Sequence, residues 1–153
     1  DKAKNAKGTG MIVTDVNGIV FLLLDNPTFS PDARAAYDRD DEWAAPPLWR
    51  SEFCNTLMQY VRSDDESIPG TDLTLEGAIE RVSAAEAFIG NRTFEVDAEA
   101  VLRLADRSGC SPYDCEYVQL AAERDVWLLT YDEPVLEAFP EIAVRPGDFV
   151  ADT

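Results

Sequence analysis

Residues 11–25 read "MIVTDVNGIVFLLLD". Met11, Ile12, Val13 and Thr14 are apolar or β-branched and suit a short buried strand. From residue 19 to residue 24 the apolar run continues unbroken and suits a buried helix, in spite of Gly18. Asp15 and Asn17 stand at the handover, where burying a carboxylate is costly unless other groups compensate it. Capping the helix is one form of compensation. Convergence with other polar groups is a second, and the remaining strand ends decide between them.

Outward from this stretch, strands and helices alternate. "NPTFSPDARAAYDRD" (26–40) offers Ser30 as N-cap and Pro31 at N1 of a short polar helix. "EWAAPPLW" (42–49) reads as a strand broken by Pro46 and Pro47, near a sheet margin. "WRSEFCNTLMQYVRS" (49–63) places Trp49, Phe53, Leu57, Tyr60 and Val61 on one helical face. After the acidic loop 63–72 comes "TLEGAIERVSAAEAFIG" (74–90), a helix with a stripe of Leu75, Ile79, Val82, Ala85 and Ile89. "TFEV" (93–96) reads as a strand, and 97–109 as a helix capped by Asp97 and stopped by Gly109. "SPYDCEYVQLAAERD" (111–125) opens another Ser-Pro helix, with Tyr113, Tyr117, Leu120 and Ala121 inward. "VWLLTYD" (126–132) is a strongly apolar strand, 134–140 a short helix and "IAVRPGDFV" (142–150) a final strand. This alternation implies an α/β three-layer sandwich with a mostly parallel central sheet, a single domain over residues 11–150.

Composition narrows the chemistry. The 153 residues carry a formal net charge of −17 and no His. Catalytic triads and every other His-dependent mechanism are therefore excluded. Cys54, Cys110 and Cys115, an odd number without His, fit free thiols in a reducing cytoplasm better than a disulfide framework or a zinc site. No apolar run approaches the roughly 20 residues of a membrane span. All three Lys fall in residues 1–10, which read as a vector-derived or flexible leader before Met11; Arg is the only cationic side chain thereafter. So acidic a surface repels nucleic acid unless cations or local Arg intervene, with Arg34, Arg39, Arg50 and Arg62 as candidate guides.

In parallel sheets, ligands bind beyond the carboxyl ends of the strands. Two apolar strands end there in Asp15 and Asp132. Asp114 lies in the first turn of the Ser-Pro helix that precedes the second of them, and Glu52 opens the helix after "EWAAPP". Four carboxylates from four elements thus point to one edge. Each also has an ordinary structural reading: Asp15 and Asp132 as caps, Asp114 and Glu52 as first-turn acids.

In this order the pieces "MIVTDVNGIVFLLL", "SEFCNTL", "SPYDCEYVQLAAE" and "VWLLTYDEPV" resemble the PIN-domain family, in particular its VapC-type toxin ribonucleases, from Met11 to about Phe149. Val16 departs from the Thr usual in that family's opening motif. The resemblance implies that Asp15, Glu52, Asp114 and Asp132 bind metal and are catalytic, with Asn17 and Thr130 as supporting polar residues. It implies a Mg²⁺- or Mn²⁺-dependent endoribonuclease of the cytoplasm, a homodimer inhibited by a cognate antitoxin protein. The chemistry is coherent on its own terms. Crowded carboxylates raise one another's pKa, hard divalent cations relieve the crowding, and such ions hydrolyse phosphodiesters without His or Lys.

Two other readings share some of these features. "DVNGIV" (15–20) and "GDFVAD" (147–152) resemble motifs of haloacid-dehalogenase-type phosphatases, but Asn17 replaces their second Asp and residues 11–153 lack their Lys. A PIN-fold interaction module without activity is the other. Ala78, Ala84, Ala85 and Ala87 form a small-residue seam suited either to a dimer or to packing within the chain. Trp43, Trp49 and Trp127 read as core or edge packing rather than as surfaces on which bases stack.

Overall fold

The computed structural model describes residues 10–65 and 72–151. The leader expected before Met11 lies outside the described residues apart from Gly10, as does most of the acidic loop at 63–72. Four short strands, β1 (Ile12–Thr14), β2 (Trp43–Ala44), β3 (Leu128–Leu129) and β4 (Ala143–Val144), form one sheet in the order β2-β1-β3-β4, and every pairing is parallel. Among the described residues the helices are α1 (Val16–Leu23), α2 (Ser30–Arg39), α3 (Leu48–Arg62), α4 (Leu75–Ile89), α5 (Ala98–Ser108), α6 (Pro112–Arg124), α7 (Glu133–Ala138) and α8 (Pro146–Ala151). The architecture is the expected α/β three-layer sandwich.

From β1 the chain moves to β2 on one side, then returns past β1 to β3 and β4 on the other. The winding direction therefore reverses between β1 and β3, and a crevice opens beyond the carboxyl ends of strands at such a reversal. α6 packs against β1 and β3 and carries α5 on its outer side, while α1 packs against α2, α3 and α4. Trp43, Trp49, Phe53, Leu57 and Ile89 fill the core, and Trp127 is buried with them. The three Trp are packing residues, as their sequence context implies.

Local signals translate directly into local structure. Asp97 caps α5 by accepting from Ala100 N at 2.9 Å, and Gly109 ends it at φ 76. Ser111 caps α6 by accepting from Asp114 N at 3.0 Å.

Several expectations need correction. "TFEV" is not a strand; it contributes one parallel bridge, Ala45 to Thr93, beside β2. The final strand stops at Val144, because Pro146 suits the start of a helix and "PGDFVA" continues as α8, with Phe149 buried beneath Arg39. Ser30 lies inside α2 and does not cap it; its hydroxyl donates to Leu24 O at 2.6 Å and accepts from Asn26 N at 2.8 Å, which folds the loop back on itself. The buried line of α4 runs through Ala78, Ala85 and Ile89, leaving Leu75 and Ile79 exposed, because small residues let α4 approach its neighbours closely. Ala78 and Ala85 therefore serve intramolecular packing. Tyr113 is also exposed rather than inward.

Gly18 has a steric reason to persist within α1. A Cβ there would overlap Thr14 Oγ1, on a fully buried side chain whose hydroxyl donates to Asp15 O at 2.9 Å. Overpacking of this kind costs about 1–3 kcal/mol, against a helix-propensity gain for Ala of about 1 kcal/mol. Gly18→Ala is expected to lower stability in urea unfolding, and Thr14→Ala in the same chain to recover part of the loss. A more stable Gly18→Ala protein would contradict this contact.

Candidate active site

Asp15 follows β1 directly and caps α1, accepting from Gly18 N at Oδ1 (3.0 Å). Its other oxygen, Oδ2, accepts from Thr130 Oγ1 at 2.6 Å. Thr130 is buried just past β3, and its Oγ1 also accepts from Asp132 N at 3.1 Å. One hydroxyl thus ties together the acids at the ends of β1 and β3, across the reversal point. Asp132 in turn caps α7, accepting from Val135 N at 3.0 Å. Asp15 and Asp132 are thus both helix caps, one of the two readings that the sequence offers for each.

Glu52 sits in the second turn of α3, its ring neighbour Phe53 buried in the core. Its Oε1 accepts from Tyr117 Oη at 2.5 Å. Tyr117 belongs to the buried face of α6, three residues after Asp114, so this bond joins α3 to the helix that carries Asp114. The sequence shows Tyr117 only as an inward aromatic residue. Its spacing from Asp114 places both on neighbouring faces of α6, which is the one available signal of its role.

The electrostatics centre on Asp114. Burial raises the Asp15 carboxyl to about 6, against hydrogen bonds from Thr130, Gly18 and Tyr131 that lower it, and the charge of Asp114 adds to the rise. Burial also raises Glu52; the Tyr117 hydroxyl opposes this, and the charges of Asp114 and Glu116 reinforce it. Asp114 itself is raised by burial and then by Asp132, with Ser111 acting in the other direction. Asp114 is thus within the electrostatic reach of all three other acids. Asn17 is exposed in the first turn of α1 and takes no part in the bonds that hold Asp15.

Among the described residues, no three His, Cys, Asp or Glu side chains stand close enough to grip one cation in their present positions. The four acids share an edge and a field rather than a closed ligand shell. As a donor set they are all carboxylate oxygen, and their ionised forms destabilise one another. Both properties fit Mg²⁺ or Mn²⁺.

Three of the four candidate Arg guides have partners of their own. Arg34 pairs with Asp25 at 2.7 Å, Arg39 donates to Phe149 O and lies over that ring, and Arg50 pairs with Glu86. Cys54, Cys110 and Cys115 are free thiols. Asp148 lies in α8, not at a strand end, and Asp152 lies outside the described residues.

No protein-family model matches the chain, and no curated protein sequence matches it. Among solved structures it is similar to PAE2754 of Pyrobaculum aerophilum, with a TM-score of 0.68 at 16% identity over 93% of this chain and 88% of that one. Likeness at that identity is a likeness of fold. No helix among the described residues is long and apolar enough to cross a membrane.

Proposed function

We propose that this protein is a Mg²⁺- or Mn²⁺-dependent endoribonuclease of PIN type, acting as the toxin of a toxin–antitoxin pair. The observation that carries the reading is the reach of Asp114 to Asp15, Glu52 and Asp132, acids from four separate elements around the reversal point of the sheet. Four acids that served only as caps and dipole partners would have no reason to share the field of Asp114.

Asp15, Glu52, Asp114 and Asp132 would hold the cation. When bound, it supplies positive charge that offsets the carboxylates and stabilises charge developing on the phosphodiester. The protein's own residues do the rest. Thr130 and Gly18 N fix the Asp15 carboxyl through one oxygen each, so it is oriented before substrate arrives. Burial holds the Asp15 carboxyl near 6 without a cation, so a bound cation would favour its ionised form. Tyr117 holds Glu52 Oε1 and so aims the second carboxylate oxygen of Glu52. In this reading the protein works as a homodimer, and its antitoxin presents an Arg or Lys to the acidic edge, because a charge-assisted pair there competes with the cation.

Cleavage of single-stranded RNA is expected in Mg²⁺ or Mn²⁺ and none in EDTA. RNA affinity, read by fluorescence anisotropy, is expected to fall at least about tenfold when the divalent ion is removed, since a net charge of −17 opposes the phosphates. Tight binding of generic RNA in EDTA would refute the proposal.

A further inference from the structure

An acidic protein that acts on RNA needs contacts that do not depend on attraction to phosphate. Of the candidate guides, Arg34, Arg39 and Arg50 already pair with Asp25, Phe149 and Glu86. The three Trp are buried and offer no surface to a base.

A different set of rings lies next to the site. Tyr131 stands between Thr130 and Asp132, and its main-chain N–H helps to lower the Asp15 carboxyl against the effect of burial. Its ring meets Phe29 edge-on, with centroids 5.0 Å apart, and Phe21 at 5.3 Å. Phe21 and Phe29 are stacked, at 4.8 Å and 25°. The order of the stack is set by burial: Phe21 is packed against the core, and Phe29 lies outside it, still 37% exposed. Tyr131 Oη is buried without a hydrogen-bond partner among the described residues, so packing against the two Phe rings, not its hydroxyl, sets the position of this ring.

Phe29 therefore stacks on Phe21 on one side, meets Tyr131 in a T-shaped contact, and keeps part of its surface open to solvent. The Asn26 side chain holds the turn beneath it, accepting from Thr28 N at 2.9 Å and from Phe29 N at 3.0 Å. The ring is held in place by Phe21, by Tyr131 and by its own main chain. A flat, braced aromatic surface one residue contact away from the acids suits a neutral π-face, and base–aromatic stacking tolerates any base and needs no cationic side chain.

We infer that the exposed surface of Phe29 stacks one unpaired base of a single-stranded RNA, beside the phosphodiester held at the acidic edge. The inference rests on the ribonuclease reading and names a residue that would hold one base of its single-stranded substrate, since a base within a duplex has no free face to offer. Stacking acts on substrate binding, so its loss changes KM while leaving kcat nearly intact.

The test compares Phe29→Leu and Phe29→Trp with the unaltered protein, on a single-stranded RNA and on the same sequence as a duplex, in Mn²⁺. Phe29→Leu is expected to raise KM for the single strand about tenfold, within the range that stacking supplies per base. Its kcat should stay within about twofold, as expected for a contact made equally in ground and transition states. Phe29→Trp restores KM, and duplex is a poor substrate for every variant. A Phe29→Leu protein with unchanged KM, or one that loses kcat alone, overturns the stacking contact and leaves the nuclease reading standing. A second measurement separates the two claims further: anisotropy of a labelled ten-nucleotide RNA on Glu52→Gln, with and without Phe29→Leu. If the unaltered protein cleaves nothing yet Phe29→Leu still weakens this binding, the nuclease reading falls and the stacking contact survives. If there is neither cleavage nor Phe29-dependent binding, both are overturned.

Discussion

Asp114→Asn is expected to reduce RNA cleavage by at least about a thousandfold, roughly 4 kcal/mol of transition-state stabilisation, while the metal-free protein melts at a higher temperature. The two effects have one origin. Asp114 is raised by burial and by Asp132, and it in turn raises Asp15 and Glu52. Neutralising it removes one partner from three unfavourable pairs without disturbing the cap of α6, because Ser111 Oγ accepts from the Asp114 main-chain N–H. A relief of about 1 kcal/mol corresponds to a rise of about 2–4 °C in a domain of this length. Cation at about 100 times its dissociation constant stabilises the unaltered protein by about 2.7 kcal/mol, and Asp114→Asn should lose most of that gain. The experiment is a thermal melt in EDTA and in excess Mn²⁺ beside a cleavage assay. If Asp114 served only the dipole of α6, the variant would melt lower in EDTA and respond to Mn²⁺ as the unaltered protein does.

The stability of the metal-free protein is expected to fall as pH rises from about 4 to about 7, and Asp15 is the main cause. Its carboxyl moves from an ordinary 3.8 to about 6 on folding. An acid raised in this way is protonated in the folded state over a range where the unfolded chain has already lost the proton. Its favourable contribution is complete below the unfolded value and disappears as pH passes through about 6, a change of up to about 3 kcal/mol. Glu52 and Asp114 are raised too, so they act in the same direction. Asn replaces Asp well as a helix cap, which makes Asp15→Asn a fair comparison. The stability difference between the unaltered protein and Asp15→Asn, from urea unfolding in EDTA, should shift against the unaltered protein across this window. Mn²⁺ should abolish the slope by favouring the ionised carboxylates. A difference that stays flat with pH would show that Asp15 is solvated well enough to titrate normally.

Both predictions depend on a site whose parts are unequally visible in the chain. Asp15 and Asp132 can be placed because each follows a short apolar strand, and the carboxyl end of a parallel strand is a position that the order of elements already determines. Ser111, Asp97 and Gly109 are equally legible, since a cap satisfies main-chain groups only two or three residues away. The alternation of strand and helix is local in the same sense, and it was enough for the α/β class and the direction of the sheet. Where periodicity alone had to separate core from surface, it erred. In α4 the larger residues Leu75 and Ile79 look like the core, yet the neighbouring helices accept the line of Ala78, Ala85 and Ile89.

What folding alone decides is how distant groups meet. The Thr130 bond to Asp15 spans 115 residues and the Tyr117 bond to Glu52 spans 65. Neither partner carries a local mark of the other, since any Thr after a buried strand or any Tyr on an inward face would look the same. The same holds for Phe29, which reads as a loop residue before a helix until the sheet brings Tyr131 beneath it. From the sequence come the identity of the acids and the strand ends that carry them. Their hydrogen bonds, their shared field and the rings beside them arise only when β1 and β3 pair, because desolvation and charge coupling act over a few ångströms of space and not along the chain.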